Sequence, residues 1–294
     1  MAATILADDD DDDMNPFTSI MLLAPTRQPP KPESEEDHQN QSPLSSSKAG
    51  ITSQQLLDQN NYYLHSINSH LLIRQLPSQG LSFQLWPAAT TLVTLLDTHS
   101  SQSTIPNPLS TLFKAQENRP LRILELGSGT GLVGIAAAAL LSANVTVTDL
   151  PHVLCNLHFN VEANSKLLQV NQGAKVNIAG LSWGVDEDMK AIGKEYDLIL
   201  GSDLVYHDRL YKPLIKTLRF FLLGNDDGSK KKRVAFVMAH LKRWKKESAF
   251  FKMARKLFDV DIIHSDPPSH GARVGVVVYR MVGKCFLSIN SVPS

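Results

Sequence analysis

The run Leu121-Arg-Ile-Leu-Glu-Leu-Gly-Ser-Gly-Thr-Gly-Leu-Val-Gly134, followed by Ile-Ala-Ala-Ala-Ala-Leu-Leu141, constrains this chain more than any other stretch. A short apolar strand ends in glycines at 127, 129 and 131, and an alanine-rich helix begins at once. Glycine permits positive φ and removes the Cβ, so the backbone can turn sharply and let a ligand approach. The new helix aims unpaired N–H groups and a partial positive charge at that point, which suits a nucleotide-like cofactor. The strict dinucleotide pattern G-x-G-x-x-G, counted from Gly127, needs glycine at 132 and meets Leu132.

From Leu121 onward strands and helices alternate. Strands are predicted over 121–126, 144–149, 174–181, 196–203 and 233–240, with helices from 131 and over 151–164, 208–223 and 244–258. Such alternation means a parallel sheet covered by helices on both faces. The ending differs, because 259–263 and 273–280 read as strands joined by a turn-rich segment too short for a helix, so that pair is antiparallel. Upstream, His70 to Leu76 and Leu81 to Leu85 alternate about a turn at Pro77 to Gly80 and predict an N-terminal β-hairpin. A helix over 87–97 follows, with Pro87 in its first turn, and then a loop over 100–120 with at most a short helix near 109–115. The expected fold is α/β and Rossmann-like: a seven-stranded, mostly parallel sheet with helices on both faces and a C-terminal antiparallel strand pair.

Residues 1–50 carry an unbroken aspartate run from Asp8 to Asp13, five prolines between Pro16 and Pro32, and then Glu/Ser/Gln-rich sequence. That composition predicts a disordered tail, broken by a small apolar island over 14–23. The remaining divisions are an extension over 51–120, a core over 121–284 and a tail over 285–294. Lysine plus arginine equals aspartate plus glutamate at 29 each, so no global field favours nucleic acid or membrane. Cys155 and Cys285 show no metal or disulfide spacing, and no apolar run reaches membrane-spanning length. The expectation is a cytoplasmic monomer, with the nucleus left open by Lys230 to Arg233, a segment read first as solvated charge.

Several residues carry chemistry. Asp149 ends the second strand about twenty residues past the glycines, where an acid can accept hydrogen bonds from a ribose in either an adenosylmethionine or an NAD site. Its other reading is an N-cap for the following helix. Trp183, in Leu181-Ser-Trp-Gly184, stands after the third strand, where an aromatic ring can stack on a base. Ser202, Asp203 and Tyr206 lie at the end of the fourth strand and face the same crevice as the glycines. Asp203 reads either as a carboxylate beside a nucleophile or as a helix cap, and Tyr206 as an acceptor-binding group or as packing. Asp266-Pro-Pro reads as a turn, His240 as a structural histidine, and Lys242 to Lys246 as solvated charge.

Glu125-x-Gly-x-Gly-x-Gly131 resembles the first motif of class I S-adenosylmethionine-dependent methyltransferases, whose sheet ends in an antiparallel pair. Trp86-Pro-Ala-Ala, Asp149, the segment Asn156 to Asn164, Ser182-Trp-Gly184 and Ser202-Asp-Leu-Val-Tyr206 add a more specific likeness. Over residues 60–282 the chain resembles the methyltransferase-like protein-lysine methyltransferases of methyltransferase family sixteen. The resemblance implies S-adenosyl-L-methionine as cofactor, held by Trp86, Glu125, Gly127, Ser128, Gly129, Gly131, Asp149, Trp183 and Ser202. It places Asp203 and Tyr206 beside a lysine acceptor on a non-histone protein and implies no metal. Family members often carry alanine where this chain has Ser202, and the acidic tail is not a family feature. The alternatives are a class I methyltransferase of a small molecule or nucleic acid, a nicotinamide-dependent oxidoreductase, and an inactive binding module.

Overall fold

Hydrophobic alternation within single strands sorts the core into two layers. In β3 (Arg122–Leu126), Ile123 joins one cluster and Leu124 the other. In β6 (Leu198–Ser202), Leu198 and Leu200 oppose Ile199, and in β7 (Ala235–Leu241), Val237 opposes Phe236 and Met238. Strands buried on both faces need helices on both sides, and the remaining elements supply them. The first layer contains α1 (Pro87–Ser100), α2 (Leu132–Leu141) and α3 (Leu154–Ala163). The second contains α5 (Asp186–Ile192), α6 (Tyr211–Leu222) and α7 (Ser248–Leu257). A short α4 (Ser165–Val170) follows α3.

This computed structural model describes residues 59–101, 107–113, 119–170, 174–223, 233–268 and 274–284. The acidic run, the apolar island, the expected tails and Cys285 lie outside them, as do residues 230–232 of the basic run. The main sheet adds β4 (Asn144–Asp149), β5 (Lys175–Gly180), β8 (Phe258–Ser265) and β9 (Val276–Gly283), in the order β5-β4-β3-β6-β7-β9-β8. All neighbours are parallel except β9, which pairs antiparallel with both β7 and β8. The expected fold is therefore the observed one, with the last strand inserted between the two before it. The carboxyl ends of β3, β4, β6 and β7 share one edge.

The N-terminal hairpin is real but lies upstream of its expected place. β1 (Gln59–Leu64) pairs with β2 (Ser69–Arg74), and Leu81–Phe83 forms a 3₁₀ turn rather than a strand. The alternation of 81–85 did not make a strand because the outer edge of β2 already has partners. Asn156, Asn160 and Asn164, spaced by four along α3 and its C-cap, bond the backbone of Leu72 and Arg74. Asn164 accepts from Leu72 N at 2.9 Å and donates to Leu72 O at 2.9 Å. Asn160 accepts from Arg74 N at 2.8 Å and donates to Arg74 O at 3.2 Å and to Thr130 O at 2.8 Å. Asn156 accepts from Arg74 Nε at 2.8 Å. Four helical residues advance about 6.0 Å and two strand residues about 6.6 Å, so one face of α3 stays in step with every second residue of β2. At the hairpin's tip, Asp97 of α1 accepts the amides of His65 and Ser66 at 2.7 and 2.9 Å.

Smaller departures have local causes. Residues 151–153 form a turn, so the third helix starts at Leu154. Single 3₁₀ turns over Asp208–Leu210 and Lys245–Glu247 precede α6 and α7. Residues 108–112 make turns where a short helix was allowed, and α4 and α5 were not anticipated, each being under two full turns long.

Asn160→Ala leaves the Arg74 amide and the Thr130 carbonyl without protein partners and should destabilise the chain by ~2–3 kcal/mol. Urea unfolding would measure the loss, and faster hydrogen exchange at Leu72 and Arg74 would place it at the hairpin.

Candidate active site

The glycine loop is stitched to the end of β4. Ser128 N donates to Thr148 O at 2.9 Å, Thr148 N returns a bond to Ser128 Oγ at 3.0 Å, and Asp149 Oδ2 accepts Gly129 N at 2.8 Å. Gly131, at φ 84°, caps α2. Asp149 Oδ1 accepts only the adjacent amide of Leu150, and the helix beyond is preceded by Val153, so Asp149 is not its N-cap. Burial raises the Asp149 carboxyl above its ordinary range, against the pull of the Gly129 and Leu150 amides. Each of its oxygens keeps a second lone pair.

Glu125 is fully buried. Its Oε2 accepts Gly134 N at 2.9 Å, while Oε1 has no partner among the described residues. Burial first, and the nearby Asp149 charge after it, push the carboxyl up to about 8 against hydrogen bonds from Ser128 and Gly134. Gly134 is what permits this approach: a Cβ there would lie 2.3 Å from Val147 Cγ1 and 2.6 Å from Glu125 Oε2. Trp183 covers the loop from above, since a Cβ on Gly127 would meet its Cζ2 at 3.0 Å and Leu204 Cδ2 at 2.8 Å. Its turn is held by α6, through Thr217 Oγ1 accepting Gly184 N at 2.8 Å and Lys216 Nζ donating to Gly184 O at 2.8 Å. The 3₁₀ turn at 81–83 also closes on the loop, its Ser82 carbonyl standing 3.0 Å from where a Gly129 Cβ would be.

Asp203 is buried and adopts φ 53°, an unusual left-handed conformation for a residue other than glycine. Its carboxylate turns toward β7. Oδ2 accepts Arg243 Nη2 at 2.8 Å, and Oδ1 accepts Leu241 N at 3.0 Å and Arg243 Nη1 at 3.2 Å. His240 Nδ1 stands 3.5 Å away, while its Nε2 is 3.1 Å from Glu247 Oε2. Burial alone would raise the Asp203 carboxyl, but His240 and Arg243 outweigh it and hold it below the carboxylate range. Burial likewise opposes protonation of His240, and the two acids overcome it and raise the imidazole. Asp203 caps no helix.

Arg243 also lies over Trp86, with 5.2 Å between guanidinium carbon and ring, and the Trp86 indole donates to Leu81 O at 3.0 Å. One arginine thus joins the Trp-Pro-Ala-Ala and Asp-x-x-Tyr segments. Its sequence reading as solvated charge is wrong: Lys242, Lys245 and Lys246 are exposed, whereas Arg243 is ion-paired. Tyr206 is 39% exposed. Burial, and next the charge of Asp149, raise its phenol, with Arg209 opposing. Ser202 is half-buried at the end of β6.

The structure thus gathers the glycine loop, Glu125, Asp149 and Trp183 in one cluster and Asp203, Arg243 and Trp86 in another, while Tyr206 makes no hydrogen bond to either among the described residues. Sequence reasoning missed Arg243 and Glu247, although their i, i+4 spacing just beyond a strand end was a usable signal. A cavity of about 330 Å³ lined by residues including Arg74, Phe83, His152 and Cys155 contains none of the predicted site residues.

The sequence profile described as lysine methyltransferase matches residues 66–257. The chain belongs to that family. Protein N-lysine methyltransferase METTL21A of Mus musculus is 34% identical over 203 residues, which is 69% of this chain and 79% of the relative. EEF1A lysine methyltransferase 3 of Xenopus tropicalis is 41% identical over 99 residues, 34% of this chain and 41% of that one. A solved structure, the delta-N METTL16 MTase domain, aligns at 14% identity and TM-score 0.43 over 68% of this chain and 84% of its own, and nothing here rests on it. This lysine methyltransferase is an S-adenosylmethionine-dependent enzyme acting on protein. Its residues fit that cofactor: Glu125 offers a buried acceptor atom without a protein donor, and Asp149 offers free lone pairs at the loop's edge.

A Glu125 carboxyl raised to about 8 is held neutral by folding, so its contribution to stability is complete in mild acid and fades as pH rises toward 8. The unfolding free energy from urea titration should therefore fall between pH ~5 and ~8 by up to ~1.4 kcal/mol per pH unit from this group, and Glu125→Gln should flatten that slope.

Proposed function

We propose that methyl transfer takes place at the shared carboxyl edge of β3, β4 and β6, with the cofactor along the glycine loop and a lysine side chain of a folded protein entering past Tyr206. The observation that supports this reading is the bond of Gly129 N to Asp149 Oδ2 at 2.8 Å, which ties the glycine loop to the end of β4, while β6, leading into Ser202 to Tyr206, runs parallel beside β3 in the same sheet. S-adenosylmethionine, when bound, supplies a sulfonium methyl group open to in-line displacement. Asp149 would hold it beside the glycine loop, Trp183 would wall it from water, and Glu125 Oε1, which has no donor among the described residues, would be open to one from the cofactor. Lysine has a reference pKa near 10.4 and attacks only as the free amine, so partial enclosure against Tyr206 and Trp86 favours the reactive form. A phenol is neutral at ordinary pH, so Tyr206 can orient the amine through its oxygen without adding a negative charge.

The names of the relatives favour a protein acceptor, and one is named for EEF1A, but none of them identifies the acceptor of this chain. A small-molecule or nucleic-acid acceptor has no observation in its favour beyond the shared fold.

Incubating the enzyme with methyl-labelled cofactor and a cell extract should put label into material destroyed by protease and untouched by nuclease. Label that survives protease would overturn the reading. Asp149→Ala should weaken binding of adenosylhomocysteine at least tenfold in calorimetry, as expected for the loss of hydrogen bonds between ribose and a carboxylate.

A further inference from the structure

Resting on the acceptor site just described, with Asp203 beside the lysine as the family resemblance implies, we propose that Arg243 is a positioning residue that neutralises Asp203 so that the acceptor lysine can shed its proton. The difficulty it resolves is physical. A bare carboxylate within 4–6 Å of an ammonium stabilises the charged form and raises its pKa by about 1–3 units. An unpartnered Asp203 next to the acceptor would therefore hold the lysine as an unreactive cation. The transfer requires the ammonium to give a proton to solvent, after which the nitrogen lone pair takes the methyl carbon and the C–S bonding pair returns to sulfur.

The geometry shows Asp203 already satisfied. Arg243 grips both carboxylate oxygens at 2.8 and 3.2 Å, and the Leu241 amide takes a further site on Oδ1. The remaining ionisable neighbours are His240, 3.5 Å from Asp203, and Glu247, 3.1 Å from His240. Glu247 also accepts the Arg243 amide, at 3.1 Å, which folds the 245–247 turn back on the pair. From α1, the residue facing Arg243 is the uncharged Trp86. Asp203's own loop contributes Tyr206, and the charges felt there are Asp149 and Arg209. The exposed Lys242, Lys245 and Lys246 on the same segment are screened by water. The quartet Arg243, Asp203, His240 and Glu247 thus balances two acids against two bases at the end of β7. A left-handed backbone at Asp203 holds the arrangement, which local chain preference would not choose.

The arrangement also removes Asp203 as a general base. A carboxylate engaged by a guanidinium and an amide, and held below its ordinary range, does not collect the lysine's proton. Its part is to fix Arg243 and, through Trp86, the segment closing over the site.

The experiment is the pH profile of kcat/KM with cell extract protein as acceptor and labelled cofactor, for the full chain and three variants. Activity rises with pH as the acceptor deprotonates. Arg243→Gln exposes the Asp203 charge and should move the midpoint of that rise to higher pH by about one unit or more, with the affinity for adenosylhomocysteine within a few-fold of the parent. Arg243→Lys keeps the positive charge and should leave the midpoint near that of the parent. Asp203→Asn combined with Arg243→Gln removes both charges and should return the midpoint toward the parent even where the overall rate is low. A midpoint unmoved in Arg243→Gln, or shifted equally in the double variant, overturns the proposal. Melting curves identify any variant that has simply unfolded, and Arg243→Lys then carries the test: a midpoint displaced despite the retained charge refutes it. Absence of protein label from the parent enzyme would instead sink the acceptor reading itself.

Discussion

The site depends on how closely α2 sits against the sheet. The helix is buried from Leu132 to Ala139, and its small side chains let it lie almost on β3 and β4. At Gly134 no side chain fits at all, because the space is held by Val147 and the Glu125 carboxyl. That contact fixes the height of the helix N-terminus, and hence of the three-glycine turn leading into it. It also encloses Glu125 so fully that the group is held neutral, with one oxygen bonded to Gly134 and the other unsatisfied by protein. A slightly bulkier helix would lift the loop away from Asp149 and break the Gly129 bond that ties the two together.

Much of this was legible because it repeats short-range rules. Alternating strands and helices gave the sheet, the absence of a helix between the last two strands gave the antiparallel ending, and β4 was read to the residue. The glycine turn, Asp149, Trp183 and the segment from Ser202 to Tyr206 could be placed at the sheet's carboxyl edge because each ends or directly follows a strand that the apolar runs mark. What stayed hidden is long-range pairing. The alternation of Leu81 to Leu85 was judged as a strand without knowing that the free edge of β2 was already taken by asparagines more than 80 residues away. Arg243 was assigned to solvent because its neighbours are lysines, and only the adjacency of β6 and β7 brings it to Asp203.

The asparagine ladder and the Asp203 quartet solve one problem in two ways. Each places polar groups in an apolar setting, where an unpaired group costs more than a hydrogen bond returns. The ladder uses neutral amides matched to a strand's backbone, so its register is rigid and independent of pH. The quartet uses charges, and its balance depends on proton occupancy at His240. Through Thr130 and through Trp86 the two networks reach the glycine loop and the segment above it from opposite sides.

The order of the sheet constrains how the chain can be made. β8 precedes β9 in sequence but touches the sheet only through it, since β9 lies between β7 and β8. During vectorial synthesis the five parallel strands can assemble as they emerge, whereas β8 must wait without a place until the following strand arrives. Until then the β7 edge that β9 will cover is open to adventitious strand pairing, the state in which nascent sheets aggregate. The Asp203 quartet escapes this delay, because it is drawn wholly from residues 203–247 and its acid meets β7 from the β6 side, opposite the edge that β9 covers.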